Sequence, residues 1–140
     1  MDSRGFFSID VIFAVTLLLT IAGVFSNVYS GRNQAATWIG VGMEAKSTCE
    51  KIAAAVNTVY ANGSTSELYI DLPATISGHT YAISFDNLRR EIMIDVPDVG
   101  ITGSTAKAAT TCKNIVLSIL DPSKRVRVYL ENNSVKVANA

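Results

Sequence analysis

The sequence predicts an α+β protein in which one long N-terminal hydrophobic helix packs on an antiparallel β-sheet head domain. Three observations carry this. Residues Val11 to Gly31 hold no formal charge, a stretch about as long as a bilayer's hydrocarbon core at 1.5 Å per residue. Small and apolar residues then recur at helical spacing as far as Val59, and from Ser66 onward the apolar period drops to two. The chain has 140 residues, so about 110 remain beyond the apolar stretch, enough for one modest core and not for two.

The helix is predicted from Phe6 to about Tyr60, roughly 80 Å if unbroken. Its second part carries a seam of Trp38, Gly42, Ala45, Cys49, Ile52, Val56 and Val59, spaced three or four apart, while Arg32, Glu44, Lys46, Glu50 and Lys51 fall mostly elsewhere. Such a helix lies on something. Asn62-Gly63-Ser64 is a stop signal, because glycine tolerates the left-handed conformation that ends helices. Bending is expected at Gly31, Gly40 and Gly42, and two helices hinged near Ser30-Gly31 are the alternative.

The strands follow from alternation: Leu68, Ile70 and Leu72; Tyr81, Ile83 and Phe85; Ile92, Ile94 and Val96; Ile115, Leu117 and Ile119; Val126, Val128 and Leu130. Asp121-Pro122-Ser123-Lys124 reads as a turn. If Asn132-Asn133 is a two-residue turn, Leu130 faces Val135 and Val128 faces Val137, which puts every apolar pair on one side. Residues Pro97 to Ala109, rich in Gly, Thr and Ala, read as a loop. The greasy face of a single antiparallel sheet against the greasy seam of the helix is the expected packing, with Ile52 and Val56 buried against residues such as Ile83, Ile94 and Val128.

The N-terminus carries the functional signal. Gly5 is followed by Phe6, Phe7, Ser8, Ile9 and Asp10, so one carboxylate sits at the head of the apolar helix, where an unpaired charge is costly. A cut after Gly5 would create a cation on Phe6 for the Asp10 of a neighbouring copy to pair with. This stretch resembles the type IV pilin superfamily, whose signature is a short leader ending in Gly, an acid at the fifth mature position and a long hydrophobic helix. With Ser8 at mature position three and Asp10 at five, it is also similar to the archaeal class III signal peptide type. Both patterns usually carry Glu at five, the archaeal one usually begins with Gln, and the leader here has one basic residue. In the head, Leu68-Tyr69-Ile70-Asp71-Leu72-Pro73, Ile76-Ser77-Gly78, Tyr81-Ala82-Ile83 and Val126 to Asn133 resemble archaeal class III pilin-like heads.

The resemblance implies a ladle-shaped subunit: a leader over 1–5, a transmembrane and assembly helix over 6–31, an amphipathic continuation over 32–62 and a β head over 66–140. It implies processing at Gly5 and Phe6, and assembly through Ser8 and Asp10. It implies a cytoplasmic-membrane precursor that becomes part of a homo-oligomeric surface filament, or joins other pilins. The implied partners are a prepilin peptidase and a pilus assembly ATPase with its membrane platform. Flanking charge orients the helix poorly, with Arg4 before it, offset by Asp2, and Arg32 after it; the resemblance places the head outside. There, an even cysteine pair favours a Cys49–Cys112 disulfide, closing a loop of about 60 residues at roughly 4 kcal/mol in the chain-entropy model; two buried free thiols are the alternative. Asn62-Gly63-Ser64 and Asn132-Asn133-Ser134 satisfy the N-glycosylation acceptor pattern. A non-polymerising single-pass anchor carrying an outward binding or sensing domain is the second class of function the residues allow.

Other classes lack support. Net charge is zero and charged residues are 17%, so no basic surface points to nucleic acid. The single histidine, His79, sits beside Gly78 in an expected turn and reads as a loop residue rather than a base. No Cys/His spacing fits a metal and no glycine-rich loop fits a phosphate, so neither an enzyme nor a cofactor is expected. Asp95, Asp98 and Asp121 are scattered carboxylates with no specific cation pattern.

Overall fold

A computed structural model describes residues 6–63, 66–100, 103–118, 120–121 and 124–140, with side chains from residue 9 onward. The elements are α1 (Phe6–Asn62), β1 (Glu67–Ile70), β2 (Ala82–Asp86), β3 (Glu91–Val96), β4 (Ser104–Ala109), β5 (Ile115–Leu117), β6 (Val126–Glu131) and β7 (Ser134–Asn139). The chain divides after Thr37 into two compact units, and α1 contributes residues to both. The helix runs unbroken through Gly31, Gly40 and Gly42. It ends where the sequence places its stop: Gly63 takes a φ of 81° and its N–H donates to the Val59 carbonyl at 3.1 Å, capping an otherwise orphaned acceptor.

In the first unit every described side chain from Ile9 to Thr37 is exposed. Thr16 and Thr20 interrupt the apolar run, but their hydroxyls donate to the carbonyls of Ile12 (2.7 Å) and Thr16 (2.8 Å). Neither therefore brings an unsatisfied polar group to an apolar environment.

The second unit holds the core. Along α1, Val41, Ala45, Cys49, Ile52, Val56 and Val59 are all fully buried, which is the anticipated seam shifted by one position at its start. Trp38 stays 47% exposed. Its ring lies against the turn at Gly100, where an added Cβ would meet it at 3.7 Å. From the strands come Ile92, Ile94 and Val96 of β3, Val126 and Val128 of β6, and Val135 and Val137 of β7, all fully buried in the same core cluster as Ile52 and Val56. Ile83 packs at its margin, partly buried.

The single antiparallel sheet expected from alternation is in fact two sheets. One has the order β1-β6-β7-β5 and the other β2-β3-β4. All pairs are antiparallel except β5 with β7. Alternation reports which face is buried but carries no information about pairing or direction. Here β6 lies between β1 and β7, so β5 takes the remaining edge of β7 and runs parallel to it.

The larger correction is β4. Residues Ser104–Ala109, expected as loop, pair with β3 over their whole length, from Ser104 opposite Val96 to Ala109 opposite Glu91. Their composition is explained by the helix. Ser104 Oγ would lie 3.6 Å from a Cβ on Gly42, the Cys49 thiol reaches toward the Ala106 carbonyl at 4.0 Å, and Thr111 bonds Asn57. From Ser104 to Thr111 an extended chain covers about 23 Å, and from Gly42 to Asn57 a helix covers about 22.5 Å. The strand thus tracks the helix, and small residues on both allow the close approach. The β3–β4 connection depends on Gly103 (φ 72°), where a Cβ would meet the Val96 carbonyl at 3.1 Å.

Candidate assembly helix and head surface

Asp10 is the only formally charged residue between Phe6 and Gly31. It stands one residue beyond the first turn of α1, which has no acidic residue, so it does not serve the exposed N–H groups that begin the helix. Its side chain is exposed, and among the described residues no ion pair or hydrogen bond engages it. Phe6 and Ser8 lie in the helix, whereas Gly5 lies outside the described residues. The surrounding surface is apolar, with Ile9, Ile12, Phe13, Leu17, Leu18 and Phe25 each at least 60% exposed. The helix is long and apolar enough to cross a membrane, and this face is one that water alone does not satisfy.

The disulfide candidate is not formed. Cys49 and Cys112 are both buried and both free. The Cys49 thiol donates to the Ile92 carbonyl at 3.0 Å and the Cys112 thiol to the Asn114 carbonyl at 3.3 Å. The reason lies in β4: Ala106 is the residue beside Cys49, and by Thr111 the chain has reached Asn57, about 12 Å further along the helix axis. Burial pushes the Cys49 thiol up to about 11, so it is neutral and inert near neutrality.

The two acceptor asparagines lie at turns. Asn62 closes α1 and is exposed, with Ser64 outside the described residues. Asn132 and Asn133 are the two central residues of the β6–β7 turn, with φ of 51° and 61°. The register is the anticipated one, Leu130 opposite Val135 and Val128 opposite Val137. His79 closes another tight turn through paired hydrogen bonds with Ile76 at 2.9 Å each, across Ser77 and Gly78, which both have positive φ.

Where β2 and β5 meet, a groove of about 450 Å³ is lined by Tyr81, Ile83, Phe85, Leu117 and Leu120 among others. Its Tyr81 hydroxyl donates to the Pro73 carbonyl at 2.6 Å, and burial pushes that phenol up to about 12. The Tyr81 phenol is therefore protonated at neutral pH. A second, shallower groove lies between Lys51, Ala54, Ala55 and Thr58 of α1 and Leu68, Ile70 and Asp71. Among the described residues no group of three or more His, Cys, Asp or Glu side chains is placed to hold a metal ion.

One exposed feature was missed from sequence. Leu88 is 96% exposed at the β2–β3 turn, which Asp86 fixes by accepting from the backbone N–H groups of Leu88 (2.9 Å) and Arg89 (3.1 Å). The signal was Asp86-Asn87, an Asx-type turn opener between two alternating runs.

A family model described as a family of unknown function (DUF7266) matches residues 7–138. The chain belongs to that family. No curated protein and no solved structure matches it. The DUF7266 match begins at Phe7, inside the apolar helix, and ends within β7. The family is therefore defined on the helix and both sheets together, not on the head alone.

Proposed function

We propose that the chain is a type IV pilin-like subunit of the archaeal class III signal peptide kind. It is made as a cytoplasmic-membrane precursor, cut after Gly5 by a prepilin peptidase, and added through its N-terminal helix to a filament at the cell surface. The observation that carries this reading is an apolar helix whose described side chains are all exposed from Ile9 to Gly40, with one carboxylate, Asp10, four residues after Phe6 and with no partner among the described residues. In lipid such a helix is satisfied on its apolar sides. When it leaves lipid, only other apolar helices replace those contacts. The Asp10 carboxylate then pairs with the Phe6 amine of a neighbouring copy and sets register, since a mispaired charge in that medium is costly. Head-to-tail contacts that do not close a ring give a helical filament. The assembly ATPase and its membrane platform supply the work of extraction, and the subunit itself performs no catalysis.

Electron microscopy of surface material sheared from cells tests this. Wild type and Asp10→Glu make filaments, while Asp10→Ala is inserted and cleaved but assembles poorly. Normal filament yield from Asp10→Ala removes Asp10 as the register element. Absence of filaments from wild type favours a non-polymerising anchor with an outward domain.

A further inference from the structure

We infer that Asn132 is an N-glycosylation acceptor, a modification that rests on the outward orientation of the head proposed above. Only Asn62 and Asn132 begin an Asn-X-Ser/Thr triplet in this chain, and the Asn132 triplet is described in full. Asn132 and Asn133 alone separate β6 from β7, and both are exposed. Their positive φ values, 51° and 61°, are those of a two-residue type I′ hairpin turn, which favours asparagine at both positions. The turn thus accounts for the two asparagines but not for Ser134. At the first position of β7, opposite Glu131, a β-branched residue would fit the strand better. The serine hydroxyl is what completes the acceptor.

The amide is available. The Asn132 carboxamide makes no hydrogen bond among the described residues. By contrast, Asn57 Oδ1 accepts from the Thr111 N–H at 2.9 Å and hydroxyl at 3.0 Å, and Asn139 Oδ1 accepts from the Asp121 N–H at 3.2 Å. A bulky polar group on Asn132 displaces nothing, because the flanking Glu131 and Asn133 are also exposed and the buried residues of this hairpin begin at Val128 and Val135. In the transfer, the Asn132 Nδ2 forms a bond to the anomeric carbon of a glycan carried on a polyisoprenoid phosphate or diphosphate. The anomeric carbon–oxygen bond breaks, the lipid phosphate leaves with the electron pair, and the amide gives up one proton to a base on the transferase.

The test expresses the full chain in a host that N-glycosylates exported proteins and processes its own prepilins, confirmed by the glycan on one of the host's surface proteins and by the mature N-terminus of one of its pilins. Trypsin releases Val128 to Lys136, and mass spectrometry reads this peptide and the N-terminal peptide from one digest. The expected result is a glycan mass on the Val128 to Lys136 peptide of wild type and Ser134→Thr. It is absent from Ser134→Ala and from Asn132→Asp, which tolerates the left-handed turn but lacks the amide. A chain that begins at Phe6 with an unmodified Asn132 overturns glycosylation and leaves the pilin-like reading standing. A chain that begins at Met1 with an unmodified Asn132 overturns both.

Discussion

Replacing Ile52 by alanine is the sharpest probe of the packed head. Ile52 is fully buried on the face of α1 that meets both sheets. The substitution removes three carbon groups, worth about 0.8 kcal/mol each in transfer free energy, or about 2.4 kcal/mol. Its neighbours Cys49, Val56, Ile92 and Ile94 are themselves fully buried in one cluster, so the site collapses little, and the cavity raises the total to about 3–4 kcal/mol, within the range of about 2–5 kcal/mol for such truncations. For a folding unit of about 100 residues each kcal/mol moves the midpoint by about 4–8 °C, so a fall of at least 12 °C is expected. The assay is thermal or urea unfolding of the full chain in detergent micelles, followed by near-UV circular dichroism. Ile39→Ala serves as the control, because Ile39 is on the same helix and 63% exposed; it should stay within about 0.5 kcal/mol of wild type. An Ile52→Ala variant as stable as wild type, or an Ile39→Ala variant equally damaged, would refute the assigned face of the helix.

Ala106→Leu should cost about 1–3 kcal/mol by overpacking β4 against the helix, while the exposed Ala109→Leu stays within about 0.5 kcal/mol; equal effects would remove β4 from the helix. The Cys49 thiol rises from an ordinary 9.0 to about 11 on folding, so the stability it contributes is complete below pH 9 and is lost as pH climbs through 11. Alkaline unfolding midpoints should therefore fall more steeply across that window in wild type than in Cys49→Ala, and parallel curves would contradict the burial. Iodoacetamide should label neither cysteine before unfolding, whether or not reductant is present; a requirement for reductant after unfolding would restore the disulfide. Gly5→Val should leave uncleaved precursor in the membrane, read by immunoblot, and unchanged mature protein would misplace the processing site.

Much of the fold was legible because burial was written into periodicity. The seam from Ala45 to Val59 and the final hairpin followed from spacing alone, the latter because a two-residue turn leaves only one register with all apolar pairs on one side. What escaped was whatever depends on distance rather than polarity. β4 looks like a loop because Ser104, Ala106 and Ala108 are poor strand formers; their small size makes sense only once the helix is seen to press against them. The division into two sheets and the parallel β5–β7 pair escaped for a related reason, since alternation is blind to pairing. The cysteine pairing failed on the same ground: Cys49 and Cys112 shared a core but not a level along it. At the candidate site, Asp10 stood out as a lone charge in a run of apolar residues, and its side chain is exposed with no partner among the described residues. The processing residues drew their meaning from the resemblance around Gly5 and Phe6.

The proposed assembly requires cleavage after Gly5, which would free an amine for Asp10 of another copy to meet. The most direct measurement is the mass of the N-terminal peptide of the protein purified from its own cell envelope, digested without prior fractionation by size. The expected result is a chain that begins at Phe6. A chain that retains Met1 through Gly5 in all recovered material would contradict it.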